Sequence, residues 1–381
     1  MKNKKIYCPT KLRGFQKHLF KLFQENYRVE LNEELYFEKI NLKKKILSKL
    51  IRTKIMDLLG IIQTIKVKKE CDLVFSYNRF IKGKDYIINL ENPTALYHYS
   101  LERNKTFFGK RKLKKELNNV ELKKIICISK ACFDTASRLL NNEIDLKKLI
   151  QIYPYIEDKK ISFKELEIKS NQEILKLLFV SSEFYLKSGK EIIEAFKLLS
   201  NYKIELTIIT DIKKIKKEDL EEIRNNKKIK LLEFNLKFEE LEKIYKESNI
   251  LLHPTRQDSS PLVVLEAIKN GIPCITTNIY AISEMIEDSK NGFMIEPRFL
   301  FFGKDNIPNP EVWNNREKTI YSKYCDEKIV NFLKEKILSY FEDRNLLYEH
   351  SKNSYLKSIN EDFSSKKIKV KWLKLLEELI G

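Results

Sequence analysis

No apolar run in this sequence is long enough to cross a bilayer. The longest, such as ILLH and PLVVLEAI, fall far short of the roughly 20 residues that a spanning helix needs. No secretory leader is read at the start of the chain, so the expectation is a cytoplasmic protein, either soluble or peripheral on the inner face of the plasma membrane. Cysteine is sparse and scattered, at positions 8, 71, 127, 132, 274 and 325, with no C-x-x-C pair and no histidine at metal-ligand spacing. This argues against a disulfide scaffold and a structural zinc site, and reads as reduced, mostly buried thiols. No repeat of solenoid period is present. Patterns of the RNP, KH or zinc-finger kind are also missing, so nucleic acid is not the expected partner.

What is present is a globular composition, 43% hydrophobic and 11% aromatic, in 381 residues. That length accommodates two domains of ordinary size. The net charge of +19 is unevenly held. Residues 1–150 carry 34 Lys and Arg against 16 Asp and Glu, whereas residues 151–381 carry 39 against 38. A general lysine bias would load both halves. A first half this basic should attract an anionic surface, whether acidic lipid, a phosphorylated glycan or nucleic acid; a merely solvated surface is the bland alternative.

Short aliphatic runs alternate with amphipathic segments along the chain. KKIYCPT, DLVFSY, DYIINLE and KKIICISK read as strands in the first half, with KLRGFQKHLFKLF as a helix. LKLLFVSSE, IELTIITD, KIKLLEF, NILLHP and PCITT read as strands in the second, separated by KEIIEAFKLLS, EDLEEIRNN, FEELEKIYKES and PLVVLEAIKN as helices. This alternation predicts an α/β protein with parallel sheets and crossover helices. A polar stretch, QIYPYIEDKKISFKELEIKSNQ, marks the join.

Three segments break the alternation. In NLKKKILSKLIRTKIMDLLGIIQ, a stripe of Ile46, Leu47, Leu50, Ile51, Ile55, Leu58 and Leu59 runs beside Lys43, Lys44, Lys45, Lys49 and Arg52. A basic amphipathic helix of this kind suits either a membrane surface or packing on its own domain. In KTFFGKRKLKKELNN, Phe107 and Phe108 adjoin Lys110, Arg111, Lys112, Lys114 and Lys115. Residues 298–325 read as an aromatic-rich insertion without a clear period.

The chemistry concentrates in HPTRQDSSPLVVLEAIKNGIPCITT, from His253. Ser260 is expected to cap a helix, with Pro261 in its first position and Gly271 just beyond its end. Such a helix start, at the carboxyl end of a strand, is a natural seat for phosphate. Asp258 stands just ahead of the helix, and Glu266 lies about 7–8 Å along its axis. Two carboxylates so placed can grip hydroxyls at either end of a diphosphate.

The stretch from Ser248 to Pro297 resembles the donor-site signature of the retaining family-4 glycosyltransferases (glycosyl transferases group 1), which carry E-x7-E; here the pair is Asp258 and Glu266. FVSSEFYLKSGKEIIEAF is similar to a second motif of that family. Its best match is Lys187, followed by Ser188-Gly189 in place of Gly-Gly, with Ser182 where the family has arginine. The resemblance implies the GT-B fold: two Rossmann-like domains facing across a cleft, with residues 1–155 binding acceptor and 156–355 binding donor. A helix over 356–381 would cross back to the first domain. Glu266 would then bond ribose hydroxyls and Asp258 those of the transferred sugar. Lys187, with Ser259, Ser260 and the backbone at Leu262 and Val263, would hold the diphosphate, with Gly14 near the donor. His98, Glu91 and Asn92 are the candidates on the acceptor side, and His98 reads equally well as a structural residue.

No D-x-D metal motif is present, and no cofactor or metal is expected. The implied reaction is transfer of a hexose, with retention, from a nucleotide-sugar (a UDP-sugar first) to a glycan or lipid-linked acceptor of a bacterial surface polysaccharide. The alternatives are a basic membrane- or nucleic-acid-binding protein, or a glycan-binding GT-B relative without activity.

Overall fold

The structure is a computed structural model that describes residues 4–10, 14–32, 50–51, 53–322 and 324–381. The described residues divide into two compact units. One comprises residues 1–157, 304–308 and 365–381, and the other 158–303 and 309–364.

Unit 1 opens with strand β1 (Lys5–Cys8), helix α1 (Gly14–Phe23) and β2 (Arg28–Leu31), followed by a short helix α2 (Lys54–Leu58). Strands β3 (Thr64–Lys66), β4 (Leu73–Tyr77), β5 (Phe80–Lys82) and β6 (Tyr86–Leu90) come next. Helix α3 (Phe107–Leu117), β7 (Leu122–Cys127), α4 (Lys130–Leu140) and β8 (Leu149–Gln151) complete the series. Six strands form one parallel sheet in the order β2-β1-β4-β6-β7-β8. β4 and β6 are buried at every residue, as an internal parallel strand with both faces covered must be. β3 and β5 pair separately in a two-stranded parallel ladder. The final helix, Ser365–Ile380, belongs to this unit. Its buried Trp372 packs edge-on against Phe23 at 5.3 Å and lies 5.9 Å from Phe75.

The stripe read over residues 43–59 falls partly on residues outside those described. Among the described ones it is not one helix. Thr53 is extended (φ −82°, ψ 153°), so the chain restarts as α2 after a break, and Ile51 is buried while Ile55, Leu58 and Leu59 are exposed.

Unit 2 begins with α5 (Phe163–Ser170), β9 (Leu175–Ser181), α6 (Gly189–Lys197), β10 (Ile204–Thr210) and α7 (Lys217–Asn225). There follow β11 (Ile229–Glu233), α8 (Phe238–Glu247), β12 (Ile250–His253), α9 (Leu262–Lys269), β13 (Cys274–Thr277), α10 (Ile282–Met285) and β14 (Gly292–Ile295). Three more helices, α11 (Pro310–Asn314), α12 (Glu327–Glu342) and α13 (Arg344–Asn360), close it; the Ser365–Ile380 helix is α14. Its sheet is again fully parallel, in the order β11-β10-β9-β12-β13-β14. α6 packs on α12, and α9 on α13. The core joins Phe179, Phe184, Ile208, Leu252 and Ile275 to Leu333 and Tyr340 of α12. The aromatic insertion is folded: Phe301 lies 5.7 Å from Trp313, and Phe302 lies 4.5 Å from Tyr280.

The α/β architecture with two parallel sheets read from the sequence is therefore the architecture observed. The division by unit also sharpens the charge split. Unit 1 holds 40 Lys and Arg against 20 Asp and Glu, and unit 2 holds 33 against 34.

Candidate active site

The donor candidates other than Gly14 gather at the carboxyl end of the unit 2 sheet. β12 ends on His253, which is buried, and the chain then loops through Pro254 to Pro261 into α9. Asp258, in that loop, is the hub. One of its oxygens receives Lys187 Nζ at 2.5 Å and lies 3.2 Å from His253 Nε2; the other accepts the backbone N–H of Ser259 at 3.0 Å. Lys187 also donates to the carbonyl of Gln257 at 2.5 Å. Burial works against ionisation of Asp258, but the adjacent Lys187 charge and the bond from His253 outweigh it and hold the carboxyl well below its ordinary range. Burial pushes the His253 imidazole down. It is neutral at pH 7 and faces the carboxylate with Nε2, so Nε2 carries the proton and donates.

Lys187 is aimed by the turn that follows it. Ser188 takes the left-handed conformation (φ 57°, ψ 35°) ahead of α6, with no side-chain cap on that helix. At Gly189 a Cβ would lie 2.4 Å from the Phe184 ring, so that position excludes any side chain. The serine that replaces the resembled family's first glycine thus occupies the one backbone state in which glycine is favoured.

The start of α9 differs from the expectation by one residue. Pro261 is the cap position (φ −70°, ψ 114°), Leu262 is the first helical residue, and no side chain caps the helix. Ser260 does not cap it, because Pro261 keeps an extended ψ and the helix therefore begins one residue later. The first N–H groups, at Leu262 and Val263, thus have no side-chain cap, and Ser259 and Ser260 lie half-buried ahead of them. Glu266, one turn further on, accepts a bond from the hydroxyl of buried Tyr245 at 2.7 Å. Burial raises its carboxyl to about 7, with Glu242 adding to the effect and the Tyr245 bond opposing it.

Three residues of this assembly had no role assigned from the sequence: His253, Tyr245 and Arg256. The Arg256 guanidinium meets the fully buried carboxylate of Glu191 and donates to the carbonyls of Ser322 at 2.9 Å and Tyr324 at 2.6 Å. Its backbone N–H bonds the Leu186 carbonyl at 3.0 Å. Arg256 therefore ties the Asp258 loop to the loop bearing Lys187, to α6 and to the end of the insertion. His253 and Arg256 stood in the quoted motif, but their partners lie elsewhere in the sequence.

In unit 1, Glu91 lies just past β6 and receives the hydroxyls of both Tyr77 and Tyr99. Asn92 is buried and caps the turn Pro93–Tyr97, accepting from the backbone N–H of Thr94 at 3.0 Å and from its hydroxyl at 2.6 Å. His98 is buried and left-handed (φ 66°), and its Nε2 accepts the Gln63 N–H at 3.1 Å. These three flank the turn that follows the carboxyl end of β6. Gly14 is exposed at the first position of α1.

Comparison with known proteins follows this division. The architecture is that of the GT-B glycosyltransferases. Anabaena Alr3699/HepE, solved with UDP and glucose, aligns at a TM-score of 0.59 with 12% identity, over 98% of this chain and 100% of that one. WaaG, a glycosyltransferase involved in lipopolysaccharide biosynthesis, aligns at 0.60 with 16% identity, over 97% and 99%. Residues 158–299, within the second unit, match the model of the family Glycosyl transferases group 1.

Two curated relatives match by sequence. An uncharacterized glycosyltransferase, MJ1607, of Methanocaldococcus jannaschii is 23% identical over 56% of this chain. A UDP-Gal:alpha-D-GlcNAc-diphosphoundecaprenol alpha-1,3-galactosyltransferase of Escherichia coli is 33% identical over 23% of it. These matches span 59% and 22% of the two relatives' own lengths.

Proposed function

We propose that the protein is a retaining, metal-independent glycosyltransferase. It moves a hexose from a nucleotide-sugar, a UDP-sugar first, to a glycan or lipid-linked acceptor of a bacterial surface polysaccharide such as lipopolysaccharide core, O-antigen or capsule. The observation that carries this reading is the conjunction of Lys187, Asp258 and Glu266 around an uncapped helix start. Lys187 and the N–H groups of Leu262 and Val263 supply positive charge for a diphosphate. Asp258, kept ionised, accepts from hydroxyls of the sugar; Glu266 does so from the ribose once it is ionised.

In the proposed step the acceptor oxygen bonds to the anomeric carbon on the face from which the phosphate leaves. The bond from that carbon to the phosphate oxygen breaks, and the acceptor proton passes to the departing phosphate. Lys187 stabilises the charge that develops there. The relative that uses UDP-Gal and a lipid-linked diphosphate, and the lipopolysaccharide enzyme of like fold, support the choice of donor and setting.

The test is incubation with a panel of UDP- and GDP-sugars and glycan acceptors, with nucleotide release and product mass followed in the presence of EDTA. Transfer with retained anomeric configuration is expected. Release that Lys187→Ala and Glu266→Ala leave unchanged would remove the site assignment, and loss of transfer in EDTA would remove metal independence.

A further inference from the structure

The two segments of unit 1 that broke the sequence pattern meet in one surface. Gly60 follows α2 in the left-handed region (φ 60°), and a Cβ on it would lie 2.3 Å from the backbone nitrogen of Gly109 in α3. Gly109 is equally constrained, since a Cβ there would meet the carbonyl oxygen of Arg103 at 1.8 Å. This close backbone approach sets the end of α2 against the start of α3. Arg103, fully buried, fixes the join from below through Asp57 and the carbonyls of Ile51 and Ile61, and Thr106 donates to the Asp57 carbonyl at 2.9 Å.

What this scaffold holds outward is apolar. Phe107 is 73% exposed, Ile55 66%, Leu58 64% and Phe108 60%, with Leu59 and Ile61 beside them. Buried polar struts beneath an exposed apolar crest reverse the usual order of a soluble surface. Cations surround the crest. Lys54, Arg111 and Lys115 have no ion-pair partner among the described residues, while Lys110 and Lys114 lie 3.6 and 3.9 Å from Glu143. The unit as a whole carries 40 cationic side chains against 20 anionic ones.

The geometry points to this crest as a docking surface for an anionic lipid bilayer. Phe107, Phe108, Ile55 and Leu58 enter the acyl boundary, and the surrounding lysines and arginine meet the headgroups. Charge complementarity selects lipid over a second copy of the chain, because two copies would bring the same cations together. The crest also adjoins the acceptor candidates: Gln63, two residues past Ile61, donates to His98, which ends the turn that Glu91 and Asn92 begin. A lipid-linked acceptor would thus be met at the surface that carries it. That last point rests on the proposed function; membrane docking itself does not.

The experiment is sedimentation of the full chain with vesicles of phosphatidylcholine alone or mixed with phosphatidylglycerol, without donor, at salt from about 0.05 to about 0.5 M. Binding only to the anionic vesicles, weakening with salt, is expected. Phe107→Ser/Phe108→Ser should lower the partition coefficient by at least about ten-fold, and Arg111→Glu/Lys115→Glu should lower it at low salt. These side chains are already in solvent, so unchanged circular dichroism and melting should accompany both variants. No binding at low salt would overturn the proposal, as would binding that neither variant alters. Self-association that the phenylalanine variant abolishes, without vesicle binding, would also do so. Because donor is absent from the assay, its failure leaves the transferase reading intact, and an inert donor site leaves the vesicle result intact.

Discussion

The two units are built on the same kind of six-stranded parallel sheet but spend their charge in opposite ways. In unit 2 the charges that matter are turned inward and matched: Lys187 with Asp258, Arg256 with Glu191, Lys269 with Asp158. In unit 1, Lys110, Arg111, Lys114 and Lys115 lie exposed on the same helix as the exposed Phe107 and Phe108. Matched, half-buried charges give a defined geometry in which a small polar ligand can be read. Unmatched surface charge gives long-range attraction without geometry. The two units therefore share a kind of sheet and differ in how charge is distributed over it.

The largest expected effect falls on unit 2. Lys187→Ala should lower turnover by about 10² to 10³, the scale for removing one donor to a developing oxyanion, without altering vesicle binding. Steady-state nucleotide release checks this. Equal losses in both assays would blur the division between the units.

Next is Arg256→Met, which leaves Glu191 buried without its cation. A loss of about 3 kcal/mol is expected from breaking a buried pair. It should be read as a lower melting transition for unit 2, with that of unit 1 unmoved.

A smaller effect concerns pH. Glu266, at about 7 before donor binds, accepts hydroxyl bonds best when ionised. Donor affinity should rise as pH goes from 6 to 8, and Glu266→Gln should flatten the profile. Stability should follow the opposite sign. The folded state holds a proton that the unfolded state releases near the ordinary glutamate value of 4.5, so folding stability from this group falls as pH rises from there to about 7, and is level above. Comparison of wild type and Glu266→Gln by thermal melts across that range isolates the term.

The smallest effect is at Ser188. Ser188→Gly should relieve left-handed strain and raise the unit 2 transition by about 1 kcal/mol or less.

Much of this contrast was legible in sequence, for local reasons. Internal parallel strands are continuous apolar runs, so LVFSY and LKLLFVS announced themselves. The spacing of Asp258 and Glu266 is local too, being set by one loop and one helix. What stayed hidden depends on distant partners. Tyr245 reaches Glu266 from a different helix, Arg256 finds Glu191 sixty-five residues away, and nothing near Phe107 announces that Gly60 meets Gly109. The ladder of β3 and β5 has three residues per strand, too few for periodicity to register. The cap shift from Ser260 to Pro261 turns on one backbone angle, the extended ψ of 114° at Pro261, which neither the preference of serine for the cap nor the fit of proline to a first helical position reveals.

The most direct test of the division is calorimetric titration of UDP and UDP-sugars into four proteins: wild type, Lys187→Ala, Glu266→Ala and Phe107→Ser/Phe108→Ser. The account expects affinity to fall at least about ten-fold in each of the two unit 2 variants, the scale of one lost charged hydrogen bond, and to stay at the wild-type value in the unit 1 variant. Equal affinity in all four, or a loss confined to the phenylalanine variant, would contradict it.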